Sequence, residues 1–239
     1  ADVCYTVIKF AFQSFYDDKN QLAENRYPLF VYFDIQSKNI NLLNDVANTI
    51  KNIWRDRLLD DTYNHAFNDL AHVPLCKLFG KIVIMTDRAD DYQSSQFDSL
   101  INYSKLMRIH YNEISSYNLI ERARKEGKTN ITREEIINDP NHIDLTKLDI
   151  DTNDMGKYII ESPDYLTEYT KENLVVVYPN TDNDLTMKNH DFSMAIAHGC
   201  NFVCMNFQVY DKYAKKYFET FQKSPLILKN LKLRMTRDK

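Results

Sequence analysis

The chain has 239 residues, 44% hydrophobic and 27% charged, a composition that suits a globular protein with a full core and excludes intrinsic disorder. Its 34 acidic and 30 basic side chains leave a formal charge of −4, which argues against a broad nucleic-acid footprint. No apolar run approaches the roughly 20 residues that span a bilayer, and four glycines leave no Gly-rich phosphate loop.

Residues 3–15 (VCYTVIKFAFQSF) read as a mostly buried helix, with Val3, Val7 and Phe10 at steps of four and three and Phe12 and Phe15 off that register. Tyr27-Pro28 breaks the chain. Residues 29–35 (LFVYFDI) then form a continuous β-branched and aromatic run, the pattern of a strand covered on both faces. Residues 39–59 carry Ile40, Leu43, Val46, Ile50, Ile53, Trp54 and Leu58 mostly at helical steps, so an amphipathic helix follows. Residues 81–85 (KIVIM) read as the next strand, which completes the β-α-β grammar of an α/β fold.

A short strand is predicted over 106–110 (LMRIH). Residues 115–157 are polar, with a helix over 118–126, an N-cap at Thr132 and a break at Asp139-Pro140. They read as an insertion. Helix then returns over 164–173, strand over 174–178 (LVVVY), strand over 201–207 (NFVCMNF) and helix over 209–221. Cys4, Cys76, Cys200 and Cys204 lack CxxC spacing and read as reduced core thiols of an intracellular protein. About five strands result, fewer than the eight of a complete (β/α)₈ barrel.

Several ordered segments resemble the phosphoinositide-specific phospholipase C family. GCNFVCMNFQ, from Gly199 to Gln208, is similar to that family's last barrel strand. VVYP, ending on Pro179, is similar to the strand before it, and SPLILKNLKLR resembles the close of the catalytic domain, completing what is called the Y-box. Upstream, Tyr27-Pro28-Leu29 with FVYFDI resembles the fourth strand, and PLCKLFGKIVIMTDR resembles the fifth.

The resemblance implies an incomplete TIM-barrel-type α/β fold comprising strands four to eight. Residues 1–114 would hold strands four to six, 115–157 a linker between X-like and Y-like parts, and 158–239 the Y-box strands seven and eight. It implies a phosphodiesterase that cleaves the glycerol–inositol phosphate bond by attack of the inositol 2-hydroxyl. Two histidines and a carboxylate-held Ca2+ serve that chemistry in the family.

Carried onto this sequence, Asp34 stands where a calcium-ligating Glu is expected, and Tyr178 where an aromatic ring stacks on inositol. Arg88 lies near the ring-phosphate lysines, whose own positions hold Met85 and Asp87. Ser115 or Ser116 takes the place of a substrate-binding Ser. The phosphate-reading Arg is replaced by Val176. None of the six histidines matches the catalytic motifs, so no catalytic residue is assigned, and a missing N-terminal part of the barrel is expected to supply them. The chain opens Ala-Asp-Val and is expected to be a processed or excised piece.

The expected partners are a phosphoinositide headgroup and, peripherally, the membrane that carries it, in the cytoplasm. The alternative is a catalytically dead barrel that binds a lipid headgroup or a protein. A glycerophosphodiester phosphodiesterase is weaker, because its Glu-rich strand ends are not seen.

Overall fold

The computed structural model describes residues 1–16, 22–111, 114, 130–131, 158–159, 165–179, 188–222 and 224–235. The chain divides into two compact units, Ala1–Leu106 and Met107–Lys239.

The first unit opens with α1 (Asp2–Ala11). The helix stops where Phe12 turns out of register, and β1 (Ser14–Tyr16) pairs antiparallel with β2 (Leu22–Glu24). The helix expected to reach Phe15 is therefore shorter, and it is amphipathic rather than buried. Cys4, Val7, Ile8 and Ala11 pack on the core, whereas Val3 and Phe10 are exposed.

β3 (Leu29–Tyr32) and β4 (Ile82–Met85) run parallel in register, joined by α2 (Ile40–Trp54). Asn39 caps α2, its side chain accepting from the backbone N–H groups of Asn41 and Leu42. Leu43, Ala47, Ile50 and Trp54 recur at helical spacing and bury one face of α2 against Ile82 and Ile84. The other edge of β4 is covered by Asn102 and Tyr103. Asn102 Oδ1 accepts from Ile84 N–H at 2.8 Å, and Thr86 N–H donates to the Tyr103 carbonyl at 3.0 Å. The short helix α3 (Ala89–Tyr92) follows β4.

In the second unit, β5 (Met107–His110) pairs parallel with β8 (Val175–Tyr178), which pairs parallel with β9 (Phe202–Val203). β6 (Asn130–Ile131) and β7 (Tyr158–Ile159) form a short antiparallel ladder. The helix expected over 118–126, Thr132 and Asp139-Pro140 lie outside the described residues. α4 (Tyr165–Glu172) leads into β8, and α5 (Ser193–Ala197) precedes β9.

β9 is shorter than the run over 201–207 suggests, because the chain turns at Met205–Phe207. α6 (Lys212–Phe221) starts later than residue 209, because Asp211 accepts from the N–H groups of Tyr213 and Ala214 and fixes the N-terminus there.

The fold is thus α/β with parallel sheets, and five strands lie in parallel ladders, as the apolar runs imply. Among the described residues no ladder closes into a barrel. The four cysteines are free thiols, but Cys76 is exposed rather than in the core.

Candidate functional site

Parallel α/β sheets place their working residues at the C-terminal ends of the strands. In the first unit that end carries Tyr32, Asp34, Asp87 and Arg88. Arg88 Nε and Nη2 donate to Asp91 Oδ2 at 3.0 and 2.8 Å, and Arg88 Nη1 lies 3.6 Å from Asp34 Oδ1. Lys38 Nζ reaches the second oxygen of Asp91 at 2.7 Å. Hydrogen bonds from Lys38 and then Arg88 hold the Asp91 carboxyl below the usual range. Tyr32 donates to Asp87 Oδ1 at 2.7 Å.

Two of the residues singled out in the sequence, Asp34 and Arg88, therefore meet. Their environment is an ion-pair network whose carboxylates answer the cations beside them. Calcium takes six to eight oxygen ligands. No group of three or more His, Cys, Asp or Glu side chains that could hold a metal exists among the described residues. A guanidinium stands beside Asp34, so the described residues do not fit a calcium site.

In the second unit the strand ends carry His110 and Tyr178, which are register partners across the β5–β8 ladder. Their rings lie 6.4 Å apart, tilted by 52°. His110 Nδ1 sits 3.1 Å from the Pro179 carbonyl, an acceptor only, so Nδ1 is the nitrogen that carries a proton. Tyr178 is half-buried, and its neighbour Val176 is buried within the strand.

Next to this pair, Tyr111 stacks on His190 with centroids 4.1 Å apart and rings 25° from parallel. The Tyr111 hydroxyl donates to Met194 Sδ. His190 is 8% exposed, and its Nε2 has no hydrogen-bond partner among the described residues. Burial pushes its pKa down to about 4, against the pull of Asp191 and Asp211. The loop that presents it is tied down by Asn189, which accepts from Asn206 N–H at 2.7 Å and donates to the Val209 carbonyl at 2.9 Å. Ser115 lies outside the described residues.

Sequence reasoning gave His110 no role and read His190 as a loop residue near the Y-box segment. The signal for His110 was present, since it closes β5 as Tyr178 closes β8. The burial of His190 was not legible, because it depends on the Tyr111 ring from a distant segment.

Neither a known family's model nor a curated protein matches the sequence. Solved structures do. The likeness is to phospholipase C. The crystal structure of L. pealei PLC21 matches with a TM-score of 0.53 and 17% identity, covering 92% of this chain and 27% of that one. The crystal structure of S. officinalis PLC21 matches with a TM-score of 0.58 and 18% identity, covering 98% of this chain and 29% of that one. At these identities the likeness to phospholipase C is one of fold, and the chain spans less than a third of either structure. Among the described residues, no helix is long and apolar enough to cross a membrane.

Proposed function

We propose that this chain is the later part of a phospholipase C-type phosphodiesterase acting on phosphatidylinositol. The inositol 2-hydroxyl oxygen bonds to phosphorus, the glycerol oxygen leaves and takes a proton, and water then opens the cyclic phosphate. The observation that carries the reading is that each unit, taken by itself, sets polar side chains at the ends of its parallel strands. Asp34 and Arg88 follow β3 and β4, and His110 and Tyr178 end β5 and β8.

In this reading Tyr178, at the end of β8 in the second unit, offers its ring face to the inositol. The acid–base role falls to residues of the longer protein. Its partners are the phosphoinositide headgroup and the membrane surface that presents it, on the cytoplasmic side.

A second reading, a headgroup- or protein-binding module without turnover, is favoured by one specific arrangement. The donors of Arg88 already face Asp91 and Asp34, and the phosphate-reading position holds the buried Val176. Assays of phosphatidylinositol vesicles with the longer protein decide between them. Release of inositol phosphates, with none from this chain alone, is the expected result. Headgroup binding without release would establish the second reading, and turnover by this chain alone would refute the assignment of the acid–base groups elsewhere.

A further inference from the structure

Two short segments lead into the parallel strands of the first unit. Tyr27 stands two residues before β3, and Phe79, which closes the helical turn Leu75–Leu78, stands three before β4. Their rings meet edge to face with centroids 6.2 Å apart. Yet Tyr27, Phe79 and Leu75, one turn before Phe79, are 37%, 45% and 41% exposed. The backbone that carries them is fixed. Gly80 N–H donates to the Arg26 carbonyl at 2.7 Å, Tyr27 N–H donates to Asn25 Oδ1 at 3.1 Å, and buried Leu78 anchors the turn. Exposed apolar surface held in this way loses little freedom when it is covered, and it marks an interaction site.

The charges around these side chains give the chemistry of the partner. Arg26 adjoins Tyr27, and Lys77 lies between Leu75 and Phe79; both are exposed, and neither answers a carboxylate among the described residues. Lys81 Nζ donates to the carbonyls of Asp56 and Leu58 at 2.6 and 3.1 Å, and Arg57 Nη1 donates to the Gly80 carbonyl at 3.3 Å, so both bring positive charge onto backbone oxygens. The acids beside them are Asp56 and Asp60, and Asp60 is turned onto Thr62, accepting from its N–H and its hydroxyl. Tyr, Phe and Arg are the side chains that interface cores favour, and cations without a carboxylate beside them select a partner that brings one.

We propose that Tyr27, Leu75 and Phe79, flanked by Arg26 and Lys77, dock an acidic amphipathic segment of a partner protein, its apolar side chains on the rings and its carboxylates on the two cations. The proposal goes beyond the phosphodiesterase reading and does not need it. The surface lies at the N-terminal ends of β3 and β4, whereas Asp34 and Arg88 follow their C-terminal ends, so an occupant here leaves the chemical end of the strands open.

The test is fluorescence anisotropy of the full chain with three labelled amphipathic peptides that share one leucine face and carry Glu, Gln or Lys on the other. The Glu peptide should bind tightest, and its affinity should fall as salt rises. F79S should lower that affinity at least about tenfold, and R26E/K77E should reverse the order in favour of the Lys peptide. All these positions are exposed, and far-UV circular dichroism like the parent's confirms folding; L75S replaces F79S should that variant fail to fold. No binding by any peptide, an order that R26E/K77E leaves unchanged, or serine variants that bind like the parent would overturn the proposal. So would a dimer in gel filtration that the serine variant splits, since the surface would then join two copies of this chain.

Discussion

Arg88 Nη1 lies 3.6 Å from Asp34 Oδ1, while Nε and Nη2 of the same guanidinium rest on Asp91 Oδ2. The carboxylate at the end of the strand run 29–35 thus faces a side-chain cation, held in turn by a second carboxylate that Lys38 also reaches. If Asp34 works by holding Arg88 in place, Asp34→Asn and Arg88→Gln in the longer protein should each slow phosphatidylinositol hydrolysis by about a hundredfold. The double variant should lose little more, because both changes break one unit. Additive losses would show two separate roles. In the chain alone each single change should leave stability close to the parent's, since solvent screens these groups, and urea unfolding reads that control.

The strands were legible where burial on both faces demands a continuous apolar run, as in IVIM of β4 and VVVY of β8. The helix α2 was legible because Leu43, Ala47, Ile50 and Trp54 share one face. Boundaries were not, because single side chains set them: Asp211 starts α6 after the aromatic periodicity suggests. Asp34 and Tyr178 could be singled out because the family resemblance assigns roles to those strand ends. The meeting of Asp34 with Arg88 could not, because it follows from the register that lays Tyr32 beside Met85. The stacking of Tyr111 on His190 is hidden for the same reason, being a contact between segments with no shared pattern.

Asn102 serves as a substitute strand partner for β4. It is 5% exposed; Oδ1 accepts from Ile84 N–H, its own N–H donates to the Ile84 carbonyl, and Nδ2 donates to the Tyr63 carbonyl. Asn102→Ala should cost about 2–3 kcal/mol by leaving the Ile84 amide buried without an acceptor. Chemical denaturation at neutral pH measures it. A loss within about 0.5 kcal/mol would show that water replaces the side chain there.

Gly199 takes φ +77°, and a Cβ built on it would lie 2.7 Å from Thr170 Oγ1. That hydroxyl is itself engaged with the His198 carbonyl at 2.7 Å. Gly199→Ala therefore meets both a left-handed backbone and an occupied space, and should destabilise by about 2–3 kcal/mol. In G199A/T170A the hydroxyl is gone, so the pair should fall short of the sum of the singles. An additive cycle would assign the whole cost to backbone conformation.

His190 provides the pH dependence. Its folded pKa of about 4 lies below the ordinary 6.5, because burial against Tyr111 disfavours the charged ring. Between those values the unfolded chain holds the proton and the folded chain does not. Stability therefore rises with pH across the window and is lost as pH falls from about 6.5 towards 4. The loss attributable to this ring reaches up to about 3 kcal/mol at the acid end, reduced by whatever screening solvent supplies. His190→Phe keeps a flat ring on Tyr111 and removes the proton, so its unfolding free energy should fall less than the parent's between pH 7 and pH 5. Urea titrations of both proteins at the two pH values supply the comparison. Parallel decline would mean that His190 is already protonated in the folded state, and that the buried Nε2 has a partner.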